Sequence, residues 1–131
     1  MAKKLYWVKA KKKPITLTKK EKEDLMKIVK SEIEKTSKLK SDITRIYIRA
    51  GRIYFYSEFE LKGDGPYIDG LKKGDFVEHV YGRITLFDKD YNDCTLDWQR
   101  HNDQWIVIEE GNLHDCIIEA EKHGFFHRIG N

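Results

Sequence analysis

The chain has 131 residues, 36% of them charged and 40% hydrophobic, with a formal net charge of +3; this is the size of one domain with room for a tail or arm and no second unit. Isoleucine, leucine, valine and phenylalanine number 14, 9, 5 and 6, enough core-forming side chains to exclude a disordered chain and to fold without disulfides or a structural metal. No long apolar run is present and the lysine-rich start lacks the apolar stretch of a secretory signal, so the expectation is a soluble cytoplasmic protein with no membrane partner.

The modest net charge hides an asymmetry. Residues 1–40 carry 14 lysines against 5 acids, whereas residues 41–131 carry 11 basic against 17 acidic side chains. A basic end of this kind attracts nucleic acid or another anionic surface, or lies against the chain's own acidic half. Lysine (19) and isoleucine (14) dominate while alanine occurs four times, a bias that suggests an AT-rich bacterial or phage gene.

In chain order, residues 4–10 alternate enough for a short strand, so residues 1–14 read as a basic arm or edge strand ending at Pro14. Thr18-Lys19-Lys20-Glu21 has the spacing of a capping box, and Leu25, Ile28, Val29 and Ile33 recur on one stripe, which predicts a helix from Thr18 to about residue 38. The stretch Ile43 to Leu61 is dense in β-branched and aromatic residues and breaks once, at Ala50-Gly51, as a hairpin does. A two- or four-residue loop puts Ile46, Ile48, Ile53 and Phe55 on one face and Arg45, Tyr47, Arg49, Arg52, Tyr54 and Tyr56 on the other; a three-residue loop mixes the faces. The even loop is preferred because it segregates apolar from polar side chains.

Residues 62–75, rich in glycine, read as a long loop, and Phe76 to Phe87 as a strand with a break or bulge near Gly82. Cys94–Arg100 forms a further hairpin around His101-Asn102-Asp103, setting Leu96 and Trp98 beside Ile108 and Ile106. Asn112 caps a last helix over roughly residues 113–123, with Gly124 as its stop and Phe125 and Phe126 pinning the end to the core. The fold class expected is α+β: a single domain over 1–131, with an antiparallel, meander-like sheet of about five strands and an N-terminal and a C-terminal helix on one face.

Leu96-Asp97-Trp98, Trp105 seven residues after Trp98, and a short helix ending in Gly124-Phe125-Phe126 resemble a small bacterial domain family of unknown function. Its members run helix, strands, a tryptophan-containing hairpin and a short C-terminal helix. The likeness covers roughly residues 18–127 in element order. It implies an architecture and transfers no catalytic residue.

Three kinds of function compete. The Arg45, Tyr47, Arg49, Arg52, Tyr54 and Tyr56 face suits single-stranded nucleic acid, because bases stack on tyrosine and guanidinium planes while cations neutralise phosphates; Tyr6, Trp7, Lys9, Lys11, Lys12 and Lys13 would extend it. The same residue types are also ordinary outward-facing strand residues that pair with one another. A protein-contact patch of Asp88, Asp90, Tyr91, Asp93 and Trp105, with Asp97, Asp103, Glu109 and Glu110 around it, combines steering charge with aromatic anchors. The third class is a hydrolase whose histidine meets a carboxylate in space, for example His79 with Glu58 or Glu60.

No sequence motif supports the third class. Cys94, His101, His114 and Cys116 lack zinc-site spacing, and two buried small hydrophobes are the simpler reading of the cysteines. The stretch Asp88-Lys89-Asp90-Tyr91-Asn92 opens like a calcium loop, but Asp93 replaces the turn glycine and Gln99 the closing glutamate. No catalytic, metal or cofactor residues are assigned. The expected role is a binding module acting through protein–protein interaction, with single-stranded nucleic-acid binding as the alternative; an edge strand at 4–10 also allows a homodimer.

Overall fold

A computed structural model describes residues 13–67, 70–99 and 104–123. The chain is α+β. Helix α1 (Lys19–Glu34) and the single-turn α2 (Leu39–Asp42) lead into β1 (Arg45–Arg49), β2 (Arg52–Glu60), β3 (Phe76–Leu86), β4 (Cys94–Gln99) and β5 (Trp105–Gly111), followed by α3 (Leu113–His123). The strands pair antiparallel with their chain neighbours in the order β1-β2-β3-β4-β5. Helix α1 packs towards β1 and α3 against β4 and β5, and the two helices meet on the same face of the sheet. Among the described residues no helix is long and apolar enough to cross a membrane.

The capping box forms as its spacing predicts. The Glu21 amide donates to the Thr18 hydroxyl and the Thr18 amide to the Glu21 carboxylate. The stripe is narrower than expected: Leu25, Val29 and Ile33 are buried, whereas Ile28 is 43% exposed. The helix also stops at Glu34 instead of running to about 38. There the Thr36 hydroxyl donates to the Ile33 carbonyl and accepts from the Lys40 amide, turning the chain into α2.

A side chain from the far end of the chain holds that turn. The Glu121 carboxylate on α3 accepts hydrogen bonds from the amides of Ser37, Lys38 and Leu39 and from the Ser37 hydroxyl. Partial desolvation pushes this carboxyl up, but the hydrogen bonds together outweigh it and leave its pKa below the usual 4.5. A depressed carboxylate pKa stabilises the fold above the unfolded value, and that contribution is lost as pH falls through the folded value. Glu121→Gln is therefore expected to cost about 1 kcal/mol at neutral pH, and urea titrations should show the difference fading below the usual carboxylate range.

The β1–β2 loop is the even one. Arg49 pairs with Arg52 across the two residues Ala50 and Gly51, both at positive φ (50° and 72°), the pattern of a type I′ turn. Gly51 is doubly constrained, because a Cβ there would also sit 2.3 Å from the Ile15 carbonyl oxygen. That approach belongs to a backbone clasp: the Ile15 amide donates to Leu86 O and the Leu86 amide to Gly51 O. Gly51→Ala should destabilise the protein by about 2 kcal/mol, read as a lower urea midpoint at unchanged slope.

The remaining hairpins carry two irregularities. In β3 the register slips between Phe55 and Tyr56, which face Gly82 and Val80, so the bulge falls next to Gly82 as its position suggests. In β4–β5, Trp98 pairs with Ile106 as expected, but a second slip after Leu96 gives it Glu109 in place of Ile108 as partner. The core joins Ile48, Ile53, Phe55, Ile84, Leu86 and Leu96 from the sheet to Leu25, Val29, Ile33, Leu113, Cys116 and Ile117 from the helices. Beyond the ends of β1 and β4, residues 57–60 and 76–79 continue as a two-stranded extension, closed at its far end by hydrogen bonds between Leu61 and Gly74 or Asp75. The α3 cap is present: the Asp115 amide donates to Asn112 Oδ1.

Candidate binding surfaces

The six Arg and Tyr positions share the sheet face opposite the helices, because the pairs Arg45↔Tyr56, Tyr47↔Tyr54 and Arg49↔Arg52 alternate with Ile46↔Phe55 and Ile48↔Ile53. Alternation continues that face into Arg83 and Thr85 on β3 and Thr95 and Asp97 on β4. Tyr54 and Trp105 reach across the intervening strands to an edge-on contact at 6.1 Å, and Tyr47 stands 6.5 Å from Tyr54. The Arg83 guanidinium lies 4.2 Å from the centre of the Trp105 ring.

This part of the face is a small second core. Asp97 is 2% exposed and accepts from Arg83 Nε (2.7 Å), Thr85 Oγ1 (2.6 Å) and Thr95 Oγ1 (2.9 Å). A buried carboxylate needs both a countercharge and full hydrogen bonding, and these three donors supply them. Asp97 is thus no part of an acidic surface, and Trp105 belongs to this cluster. Arg45 is also engaged: its guanidinium makes a two-point pair with Glu78 at 2.8 and 2.9 Å and stacks 4.1 Å over Tyr56. The Arg45 hydrogen bond pulls the Glu78 carboxyl below the usual carboxylate range. Tyr47 and Arg49, on the edge strand β1, remain exposed.

The acidic patch does not assemble. Asp88, Asp90, Tyr91 and Asp93 lie in the β3–β4 turn, at the Cys94 end of β4, while Trp105 pairs with Gln99 at its other end, roughly 17 Å away along the strand. Asp88 Oδ1 accepts the Asn92 and Asp93 amides, closing the turn, and Tyr91 packs on the core. Of the basic arm, Lys13 is exposed; Tyr6, Trp7, Lys9, Lys11 and Lys12 lie outside the described residues, as do His101, Asp103 and Gly124 to Phe126.

The histidine–carboxylate meeting proposed for His79 is ruled out by register. His79 pairs with Ser57, while Glu58 pairs with Glu78 and Glu60 with Phe76, so His79 shares a face with Ser57 and points away from Glu58 and Glu60. His114 meets Glu32 at 2.6 Å on the surface. Among the described residues, no three metal-ligating side chains converge. Cys94 and Cys116 are free and buried. Burial, with lesser help from nearby acidic groups, pushes both thiols up to about 12. Neither should react with a disulfide reagent such as Ellman's at mildly alkaline pH until the protein is unfolded in guanidinium.

A further surface had no sequence signal. Between α1 and the outer edge of β1 runs an open trough lined by Lys19, Lys22, Met26, Lys27, Tyr47 and Ile48. A second hollow lies farther along the same edge, where Lys30 and Lys40 flank Ile33, Ile43 and Ile46. The lysine spacing could have shown that these cations share a helix flank, but not that the flank overhangs a strand edge. No family model, curated protein or solved structure matches this chain, so the likeness to a bacterial domain family rests on its element order and its tryptophan hairpin alone.

Proposed function

We propose that this protein is a binding module that works through contact with another protein. The observation carrying that reading is the β1 edge: among the described residues β1 has a strand neighbour on one side only, and apolar surface lies beside its open side. Exposed strand edges are either blocked or used for pairing, and nothing described covers this one. The test is site-specific photo-crosslinking, with benzoylphenylalanine at Tyr47 and, as a control, at Lys62 in the β2–β3 loop. A discrete protein adduct from Tyr47 alone is expected. No adduct, or equal adducts from both positions, overturns the reading.

The row Tyr47–Tyr54–Trp105 favours a second reading, single-stranded nucleic acid stacked on the sheet face. Its weakness is that Arg45 and Arg83 already hold carboxylates, leaving Arg49 as the exposed cation beside Tyr47. Anisotropy of labelled single-stranded RNA and DNA at low and high salt decides. Salt-sensitive binding weakened by Tyr47→Ala and Arg49→Ala supports it, and absence of binding removes it.

A further inference from the structure

We infer that the trough between α1 and β1 takes an extended acidic peptide, added to the sheet as a strand beside β1; this rests on the protein-binding reading above and specifies its partner. The first argument is backbone geometry. In a hairpin closed by two residues the flanking pair exchanges both of its hydrogen bonds, and hydrogen-bonded and non-bonded pairs alternate from there. Arg49, Tyr47 and Arg45 therefore bond inward to β2, and the amides and carbonyls of Ile46 and Ile48 point outward. No described residue bonds them. An added strand satisfies such a row, as a phosphate backbone cannot.

The second argument is shape. The trough of ≈ 550 Å³ beside Tyr47 and Ile48 and the hollow of ≈ 290 Å³ beside Ile43 and Ile46 follow the same strand edge, so a peptide of strand length meets apolar floor along β1. Alternate side chains of such a strand drop towards Met26 and Ile33 or stand beside Tyr47.

Charge names the occupant. Lys19, Lys22, Lys27, Lys30 and Lys40 rim the two hollows against Glu23 and Glu34, and no described carboxylate pairs with any of these five lysines. On the other side of the edge stands the exposed Arg49, Arg45 being held by Glu78. Each face of an added strand therefore meets a cation, with most of the positive charge on the α1 side. The chain's own arm is a poor occupant, since residues 1–13 hold six lysines and no acid. A second copy is disfavoured too, because pairing β1 with β1 brings two lysine rims together.

The experiment selects a random dodecamer display library on the full chain alone and then compares binding to the double variant Lys19→Glu/Lys27→Glu, whose two side chains are exposed and outside the core. Selected peptides are then labelled and titrated by anisotropy. Acidic residues at alternate positions are expected, with affinity falling ~10-fold or more on the double variant. A comparable loss is expected when alternate peptide amides are N-methylated, which removes strand hydrogen bonds but no charge. Peptides that bind the double variant equally, or that tolerate N-methylation, overturn the proposal. So do single-stranded DNA competing as well as the peptide, or a dimer in sedimentation that the double variant dissociates. If the Tyr47 photo-adduct forms undiminished on the double variant, strand addition falls while the protein-binding reading stands; if no adduct forms at all, both fall.

Discussion

Asp97→Ala is expected to destabilise the protein by about 3–5 kcal/mol, the range for removing one partner of a buried ion pair. Asp97 is nearly inaccessible and accepts from Arg83, Thr85 and Thr95 at 2.6 to 2.9 Å. Alanine would leave a guanidinium without its countercharge and two hydroxyls without the carboxylate they donate to, in a space roofed by Trp105 and Tyr54. The positive charge dominates: Arg83 is itself 15% exposed at its side chain, so water reaches it poorly. Against a total stability of roughly 5–15 kcal/mol for a domain, such a loss brings the protein near its folding threshold. Urea unfolding followed by tryptophan fluorescence measures it. Arg83→Met paired with Asp97→Leu should recover much of the loss, because removing both charges leaves no orphan; a double variant as unstable as Asp97→Ala would show that the hydroxyls, not the arginine, dominate.

Phe55→Ala is expected to cost about 3–5 kcal/mol as well, by a different mechanism. The Phe55 side chain is 1% exposed and is the largest of the fully buried side chains. Its cross-strand neighbours are Ile46 on one side and Gly82 on the other, and the glycine contributes no side chain to fill the space the ring vacates. The register slip directly after Phe55 makes local collapse harder, because both strands are already bent there. Phe76→Ala provides the contrast. That ring is 64% exposed at the start of β3, so its removal should change stability by no more than about 0.5 kcal/mol.

The two reach the surface differently. Losing Phe55 loosens the contact between sheet and helices that sets α1 above β1, whereas losing Asp97 unseats Trp105 and Tyr54. Neither residue lines the trough itself, so peptide binding by Asp97→Ala, measured well below its unfolding midpoint, separates the two sides of the sheet. Strand addition predicts affinity close to wild type, and stacking on the sheet face predicts a loss.

How far the sequence reached can be argued residue by residue. Thr18 and Glu21 announced a helix start because a capping box is made of side chains three apart. Ala50-Gly51 announced a turn of even length because only that parity keeps Ile46, Ile48, Ile53 and Phe55 together, and the structure makes it two residues. Where the deciding partner is remote the reading failed. Helix α1 ends early because Glu121, more than eighty positions away, supplies the acceptor for the Ser37, Lys38 and Leu39 amides. Asp97 read as surface because nothing near it in the chain says that Arg83 and Trp105 would close over it. The acidic patch failed for the same reason: Asp93 and Trp105 are near in sequence but sit at opposite ends of β4.

By itself, then, the sequence determined what local periodicity and turn chemistry control: an α+β chain, its strand alternation, its capped helices and a face of arginine and tyrosine. Only the tertiary structure decided which polar groups are already partnered and which are left over. A side chain's hydrogen-bond and charge partners come from elements far apart in the chain, while its face depends only on its immediate neighbours. That is why part of the Arg/Tyr face, conspicuous in sequence, is already engaged, through Arg45, Tyr54 and Tyr56. Lys19, Lys22, Lys27 and Lys30 of α1, ordinary in sequence, have no carboxylate partner among the described residues and stand above a strand edge that no described strand covers.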